Sequence, residues 1–437
     1  MSKLKDSLIN MALNQRRSRL LEKEETNDCL SHVNQPMFAI SDAHCNFETY
    51  DNYQVIQQKK LLSKKFKINN PFFVTHEGTA SATTVIHGKT FINFSSYNYL
   101  DLNGDARVNL AAKEAIDRYG ISASASRIVS GERPVHQALE QALANLHGAD
   151  KALVFVSGHA TNVTTIGYLF GPNDLVVHDE LIHDSVIQGI KLSGAFRLTF
   201  PHNHWQALDD LLTARRHQFK RVLIVIEGLY SMDGDYPDLP QFIDIKKRHK
   251  AFLMIDEAHS IGVMGARGQG IGEFFDVNRR DVDIWMGTLS KTLAGCGGYI
   301  AGCEALIEHL QYAAPGFLYS VGMSPPLAAS SLKALEIMLE EPERIAKLHH
   351  ISKQFLNEAQ RGGLNVGHSR GLNIVPIICG SSRKAVQMAN DLGKKNINVQ
   401  PIIYPAVPEN QARLRFFMNC QHTTEQILYT VKELSDL

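Results

Sequence analysis

The chain has 437 residues, enough for two or three lobes around a large shared core. Its 45 basic and 45 acidic residues cancel, so no global charge points to nucleic acid or a membrane surface. Six scattered cysteines without a CxxC pair, no leader-like apolar core after Met1, and no apolar run near the roughly 18–20 residues of a membrane span predict a reduced, cytoplasmic protein without such a span.

Residues 1–65 read as a polar extension rich in Gln, Asn, Lys and Glu. Leu4, Leu8, Met11 and Ala12 have the spacing of one helix face, a pattern that fades by Glu25. The segment from Lys59 to Lys67 holds five lysines in nine residues. It reads either as a solvated face or as a docking patch for an acidic partner.

From about residue 70, strand-like and helix-like segments alternate. Short, continuous apolar runs at 152–156, 175–177, 222–226, 252–255, 284–286 and 299–301 are what buried parallel strands require. Helical patterns at 205–216 and 239–249 lie between them, which predicts a doubly wound α/β sheet. Pro325-Pro326 marks a break, and a long helical stretch at 327–364 leads to a smaller α+β lobe with strands near 374–378 and 412–417. The expected parts are thus 1–65, an N-terminal segment 66–120, a large domain 121–325 and a small domain 326–437.

Ligands of open α/β sheets gather at the carboxyl ends of the strands. The first run is followed by Ser157-Gly158-His159, a small turn feeding a helix whose free N–H groups suit a phosphate; a plain helix cap is the alternative. The second is followed by His178-Asp179 and His183-Asp184-Ser185, and the third by Glu227-Gly228-Leu229-Tyr230-Ser231. Asp256-Glu257-Ala258-His259 ends the fourth. Thr288 and Lys291 end the fifth, with Lys291 lying 35 residues after Asp256. A lysine amine and a carboxylate at two strand ends are what pyridoxal phosphate needs: one captures the aldehyde, the other keeps the ring nitrogen protonated. Asp256–His259 also spells a helicase metal motif, but Thr83 stands where a phosphate loop ending in Gly88-Lys89-Thr90 needs its first glycine. His178, His183, His202 and His204 lack cysteine partners at ligand spacing, so no metal is expected. Asn203 reads as the cap of the 205–212 helix.

Further motifs join these: Asn93-Phe94-Ser95-Ser96-Tyr97-Asn98-Tyr99-Leu100 and Ala125-Ser126-Arg127-Ile128-Val129-Ser130-Gly131. In this order the set resembles the α-oxoamine synthases, fold-type I enzymes dependent on pyridoxal 5'-phosphate, across residues 70–435. The resemblance implies Lys291 as Schiff-base lysine and base, with Asp256 at the ring nitrogen. His259 would then lie at the phenolic oxygen and His183 on the ring. Ser157, Gly158, His159, Ser185, Glu227, Ser231 and Thr288 complete the expected cofactor contacts. Arg415 is expected to grip the substrate carboxylate with Asn98 nearby, while Arg413 reads as a surface position on an alternating strand.

The implied reaction joins glycine, alanine or serine to an acyl thioester with loss of carbon dioxide, giving an α-amino ketone, in a homodimer. Other fold-type I chemistry (transamination or aldol cleavage) and a non-catalytic synthase subunit are the alternatives. Tyr97 replaces an asparagine usual in the biotin-pathway branch, and the surrounding Ser-Tyr-Asn-Tyr-Leu leans toward serine palmitoyltransferase. Val321 lacks the hydroxyl that the family places against the neighbouring subunit's phosphate. Likeness to synthases of polyketide or fatty-acyl systems raises an acyl carrier protein as the acyl donor, which would suit the Lys59–Lys67 cluster.

Overall fold

A computed structural model describes residues 41–65 and 69–437. The division between the chain's two compact units falls between Lys67 and Ile68. The expected helix face at Leu4–Ala12 lies outside the described residues. Of the lysine cluster, Lys59, Lys60, Lys64 and Lys65 belong to the helix Asp51–Lys65, whose described side chains are mostly exposed.

In the second unit the hairpin β1 (Thr83–Ile86) and β2 (Lys89–Asn93) precedes a seven-stranded sheet. Its members in chain order are β3 (Lys151–Phe155), β4 (Leu175–Asp179), β5 (Phe196–Phe200), β6 (Val222–Glu227), β7 (Phe252–Asp256), β8 (Ile284–Thr288) and β9 (Gly298–Gly302). Their spatial order is β3-β9-β8-β7-β6-β4-β5, and β9 alone runs against its neighbours. Every residue of β4 and β6 is buried, because helices cover both faces. Alternate side chains divide between two cores: Ile224, Ile226, Leu253 and Ile255 on one face, Leu223, Val225 and Met254 on the other.

β5, one of the sheet's two edge strands, carries no continuous apolar run because among its residues only Phe200 is buried. The expected single helix at 327–364 is two, Pro325–Glu340 and Glu343–Arg361. Pro342 has no N–H to continue the ladder. Pro325 and Pro326 begin a helix, where the missing N–H groups cost nothing.

The small lobe holds β10 (Ile374–Gly380), β11 (Ile397–Asn398), β12 (Gln400–Ile402) and β13 (Ala412–Phe417). β13 is the centre of the β10-β13-β12 sheet. β11 instead pairs in parallel with β2, Ile397 opposite Ile92, so backbone hydrogen bonds join the first and last segments of the unit. Among the described residues no helix is long and apolar enough to cross a membrane.

Candidate active site

β7 and β8 are adjacent and parallel, with Asp256 opposite Met286, so Asp256 and the Thr288–Lys291 turn leave the sheet side by side. Glu227 ends β6 opposite Asp256. Ser157 and Gly158 follow β3, and His183 and Ser185 follow β4. One end of one sheet therefore gathers the side chains expected from five separate sequence motifs.

Asp256 accepts from the Ala258 amide at 3.0 Å and from Asn162 Nδ2 at 2.9 Å. The same Asn162 amide donates to Ser185 Oγ at 2.9 Å, and Ser185 Oγ lies 2.7 Å from His183 Nδ1. The Ser185 backbone N–H also points at Nδ1, at 3.3 Å, which makes that nitrogen an acceptor and leaves the His183 proton on Nε2. Asn162 thus ties the aspartate to the histidine of the neighbouring loop. His259 Nδ1 lies 2.8 Å from the Tyr99 hydroxyl oxygen. Burial, aided by the charges of Lys291 and Arg415, holds His259 well below its ordinary value, so the ring is a neutral donor. Neither Asn162 nor Tyr99 was singled out from sequence. Tyr99 sat inside a quoted motif and Asn162 three residues past one, but their roles depend on partners 160 and 94 residues away.

Burial lowers Lys291 from 10.5 to about 8; the charge of Arg415 acts the same way, against the pull of Asp256 and Glu227. Its Nζ lies 5.5 Å from the centre of the Tyr97 ring. Glu227 is raised well above the usual carboxylate range, first by burial and then by Asp256, which favours its protonated form. Its Oε2 accepts from the Ser231 amide at 3.4 Å. With Lys291 as the nucleophile expected from sequence, capture of pyridoxal phosphate by cofactor-free protein should accelerate as pH rises through about 8, where the amine becomes neutral, and level off above it. Stopped-flow absorbance measures this. A rate still climbing toward pH 10.5 would mean that the amine is not desolvated.

Gly158 packs so closely on β8 that a Cβ there would lie 2.8 Å from Thr288 Oγ1. Thr288 Oγ1 donates to Gly297 O at 3.0 Å and lies 2.8 Å from Ser290 Oγ. Ser157 caps the helix Gly158–Leu169, and His159 is exposed beside it. A cavity of about 430 Å³ opens over Lys291, lined by His76, Ser96, Tyr97, Asn98 and Gln400. Asn98 reaches this cavity, but its amide is engaged by Ala80 O at 2.8 Å and by the Asn103 amide at 3.0 Å.

Arg415 donates from Nη1 to Ser231 O at 3.1 Å, and its guanidinium sits 4.5 Å from the Phe417 ring centre. Its Nε is buried and has no hydrogen-bond partner among the described residues, which leaves a donor for a ligand carboxylate. Arg413 is not the surface position expected. It is 3% exposed and pairs with Asp233 at 2.7 Å, also donating to Met232 O. Two residues apart on one strand, both arginines share a face, and the loop after β6 covers that face. Arg413→Met should cost about 3–5 kcal/mol in urea unfolding, because Asp233 would stay buried and unpaired. Adding Asp233→Asn should recover much of it.

Other expectations also change. His204, not Asn203, caps the 205–215 helix by accepting from Ala207 N, while Asn203 takes a positive φ of 54°. Glu257 turns away from the site and accepts from the Ile271 amide and the Ser260 hydroxyl, a structural use of the helicase-like spelling. Among the described residues no cluster suits a metal ion.

A lysine and an aspartate on adjacent strand ends, two neutral imidazoles and a glycine cradle against Thr288 fit pyridoxal phosphate, and on this sheet they define a fold-type I enzyme of that cofactor. The model of the class I and II aminotransferase family matches residues 89–434. An 8-amino-7-oxononanoate synthase of Fervidobacterium nodosum is 36% identical over 86% of this chain and 95% of its own length. Serine palmitoyltransferase 3 of Caenorhabditis elegans is 35% identical over 79% of this chain and 70% of its own. The serine palmitoyltransferase structure of Sphingomonas wittichii superposes with a TM-score of 0.85 at 26% identity, covering 90% of this chain and 98% of that one. The chain belongs to the class I and II aminotransferase family and, within it, to the α-oxoamine synthases, enzymes whose cofactor is pyridoxal 5'-phosphate.

Proposed function

We propose that the protein condenses glycine, alanine or serine with an acyl thioester, releasing carbon dioxide and the free thiol and yielding an α-amino ketone. The observation that carries this reading is the buried, unpartnered Nε of Arg415 close enough to Lys291 for its charge to depress that amine. A carboxylate receptor beside a desolvated base suits an α-amino acid whose Cα proton must be removed.

When bound, pyridoxal phosphate supplies an electron sink for the negative charge that develops at Cα. Asp256, fixed by Asn162 and Ala258 N, would accept a hydrogen bond from the protonated ring nitrogen and keep the proton there. His259 would face the phenolic oxygen, and the amides of the Ser157–Gly158 turn, packed against Thr288, would serve as donors to the phosphate. Arg415 orients the amino acid by its carboxylate, and Lys291 takes the Cα proton. Glu227 near Lys291 and Asp256 is pushed toward its protonated form, first by burial and then by Asp256.

The reading extends to a cytoplasmic homodimer. It also admits an acyl carrier protein or coenzyme A as the thiol, the carrier being the acidic partner that the lysine-bearing helix Asp51–Lys65 would suit. Incubation with each amino acid and with matched acyl-coenzyme A and acyl-carrier thioesters tests it. Carbon dioxide release that requires the thioester supports the condensation. A keto acid formed without thioester would replace it with transamination. A carrier that gives no advantage would remove that partner.

A further inference from the structure

Three segments converge on His202: the end of β4, the turn after β5 and the loop after β6. Its Nδ1 lies 2.9 Å from Asp179 Oδ1 and its Nε2 lies 2.9 Å from Asp235 Oδ2. Both carboxylates are nearly or fully buried, and the Tyr230 ring meets the imidazole edge-on at 4.5 Å. Asp179 also accepts from the backbone amides of Leu181 and Asn203, at 2.8 and 2.7 Å. Asn203 Nδ2 donates to Asp235 at 3.1 Å, a geometry that its positive φ allows. A ring with a carboxylate on each nitrogen is satisfied only when both nitrogens carry protons. Burial alone would lower the imidazole, but the two aspartates outweigh it and push His202 up to about 10.

The clamp holds a loop that matters. Tyr230 N donates to Asp235 O and Gly234 N to Tyr230 O, both at 2.9 Å, closing residues 230–235 into a tight turn. That turn presents Ser231 O and Met232 Sδ to Arg415, and Met232 O and Asp233 to Arg413. The loop is also held by Arg370 N, which donates to Gly234 O at 3.0 Å, and by Ser231 N, which donates to Glu227 at a longer 3.4 Å. The guanidinium expected to receive the substrate therefore leans on a loop whose far end is fixed by His202.

We propose that His202 is a positioning residue: as an imidazolium between Asp179 and Asp235 it sets the 230–235 loop and, through Ser231 and Met232, the orientation of Arg415 toward the amino-acid carboxylate. This rests on the proposed role of Arg415. His202 carries no part of the bond chemistry, so its loss falls on one substrate only.

Steady-state kinetics of the holoenzyme with His202→Gln, Asp235→Asn, Arg415→Lys and the double variant His202→Gln/Arg415→Lys test it. His202→Gln and Asp235→Asn should each raise KM for the amino acid about tenfold, with kcat and the thioester KM changed less than about threefold. Absorbance titration with the amino acid alone should show the same weakening. Because His202 acts through Arg415, the double variant should be no worse than Arg415→Lys alone. Additive losses, or a fall in kcat at unchanged amino-acid KM, would overturn the proposal. Were Arg415→Lys itself to leave the amino-acid KM unchanged, the carboxylate assignment would fail first, a result distinct from failure of His202 alone. Should the substituted proteins not fold, 15N spectra of the wild type decide: both His202 nitrogens protonated at pH 8 support the clamp, and a neutral ring overturns it.

Discussion

Lys291→Ala is expected to abolish turnover, lowering kcat by at least about 10⁴-fold, because one substitution removes both the proposed nucleophile for the cofactor and the proposed base for the Cα proton. The geometry argues that nothing nearby substitutes for it. Glu227 favours its protonated form, and His183 and His259 are both lowered by burial, each with its Nδ1 engaged. Absorbance should show pyridoxal phosphate still bound by its other contacts but as the free aldehyde, with condensation at background. Turnover within tenfold of wild type would mean that another amine or base serves, and the assignment of Lys291 would fall. Added methylamine should not restore more than a small part, since the enclosing Tyr97 and the neighbouring carboxyls set a place for a tethered amine.

Asp256→Asn is expected to be the next most damaging change, at about 10²–10³-fold in kcat, the range for losing one preorganised electrostatic contact to developing charge. The amide keeps the shape, so folding and the contact to Ala258 N should survive. The contact to Asn162 loses its charge-assisted acceptor. What disappears is the negative charge proposed to keep the ring nitrogen protonated. The loss should therefore appear in proton removal from Cα, read as exchange of the amino acid's α-hydrogen with deuterium in the absence of thioester. Equal exchange rates in the two proteins would place the role of Asp256 elsewhere.

The parts of the fold that were legible in sequence are those whose environment leaves one solution. β4, β6, β7 and β8 are buried on both faces, so their apolar runs are uninterrupted and their ends fall within two residues of the expected ones. β5 was missed because most of its residues are not buried and Arg197 and Thr199 interrupt it. Site residues at strand ends were legible for the same reason: topology delivers them to one rim whatever the loops do. Asn162 and Tyr99 were not, because a buried amide or hydroxyl in a motif looks the same whether it serves the site or the helix that carries it. Arg413 failed for a related reason. Strand alternation puts it on the same face as Arg415, but only the path of the 230–235 loop makes that face an interior.

The pairing of β2 with β11 bears on how the protein is made. Ile92 donates to Asn396 O and Phe94 to Asn398 O, and the side chains of Asn93 and Asn398 meet at 2.8 Å. During synthesis the β1–β2 hairpin therefore leaves the ribosome long before its partner strand exists, and for most of translation β2 is an open edge with its hydrogen-bonding groups unfilled. Its exposed Lys89 and Thr90, and the shortness of the strand, make that edge a poor template for pairing with another chain. A messenger truncated anywhere before codon 396 would yield a chain in which that edge is never closed. Such a product would be a substrate for quality control and not a partially active enzyme.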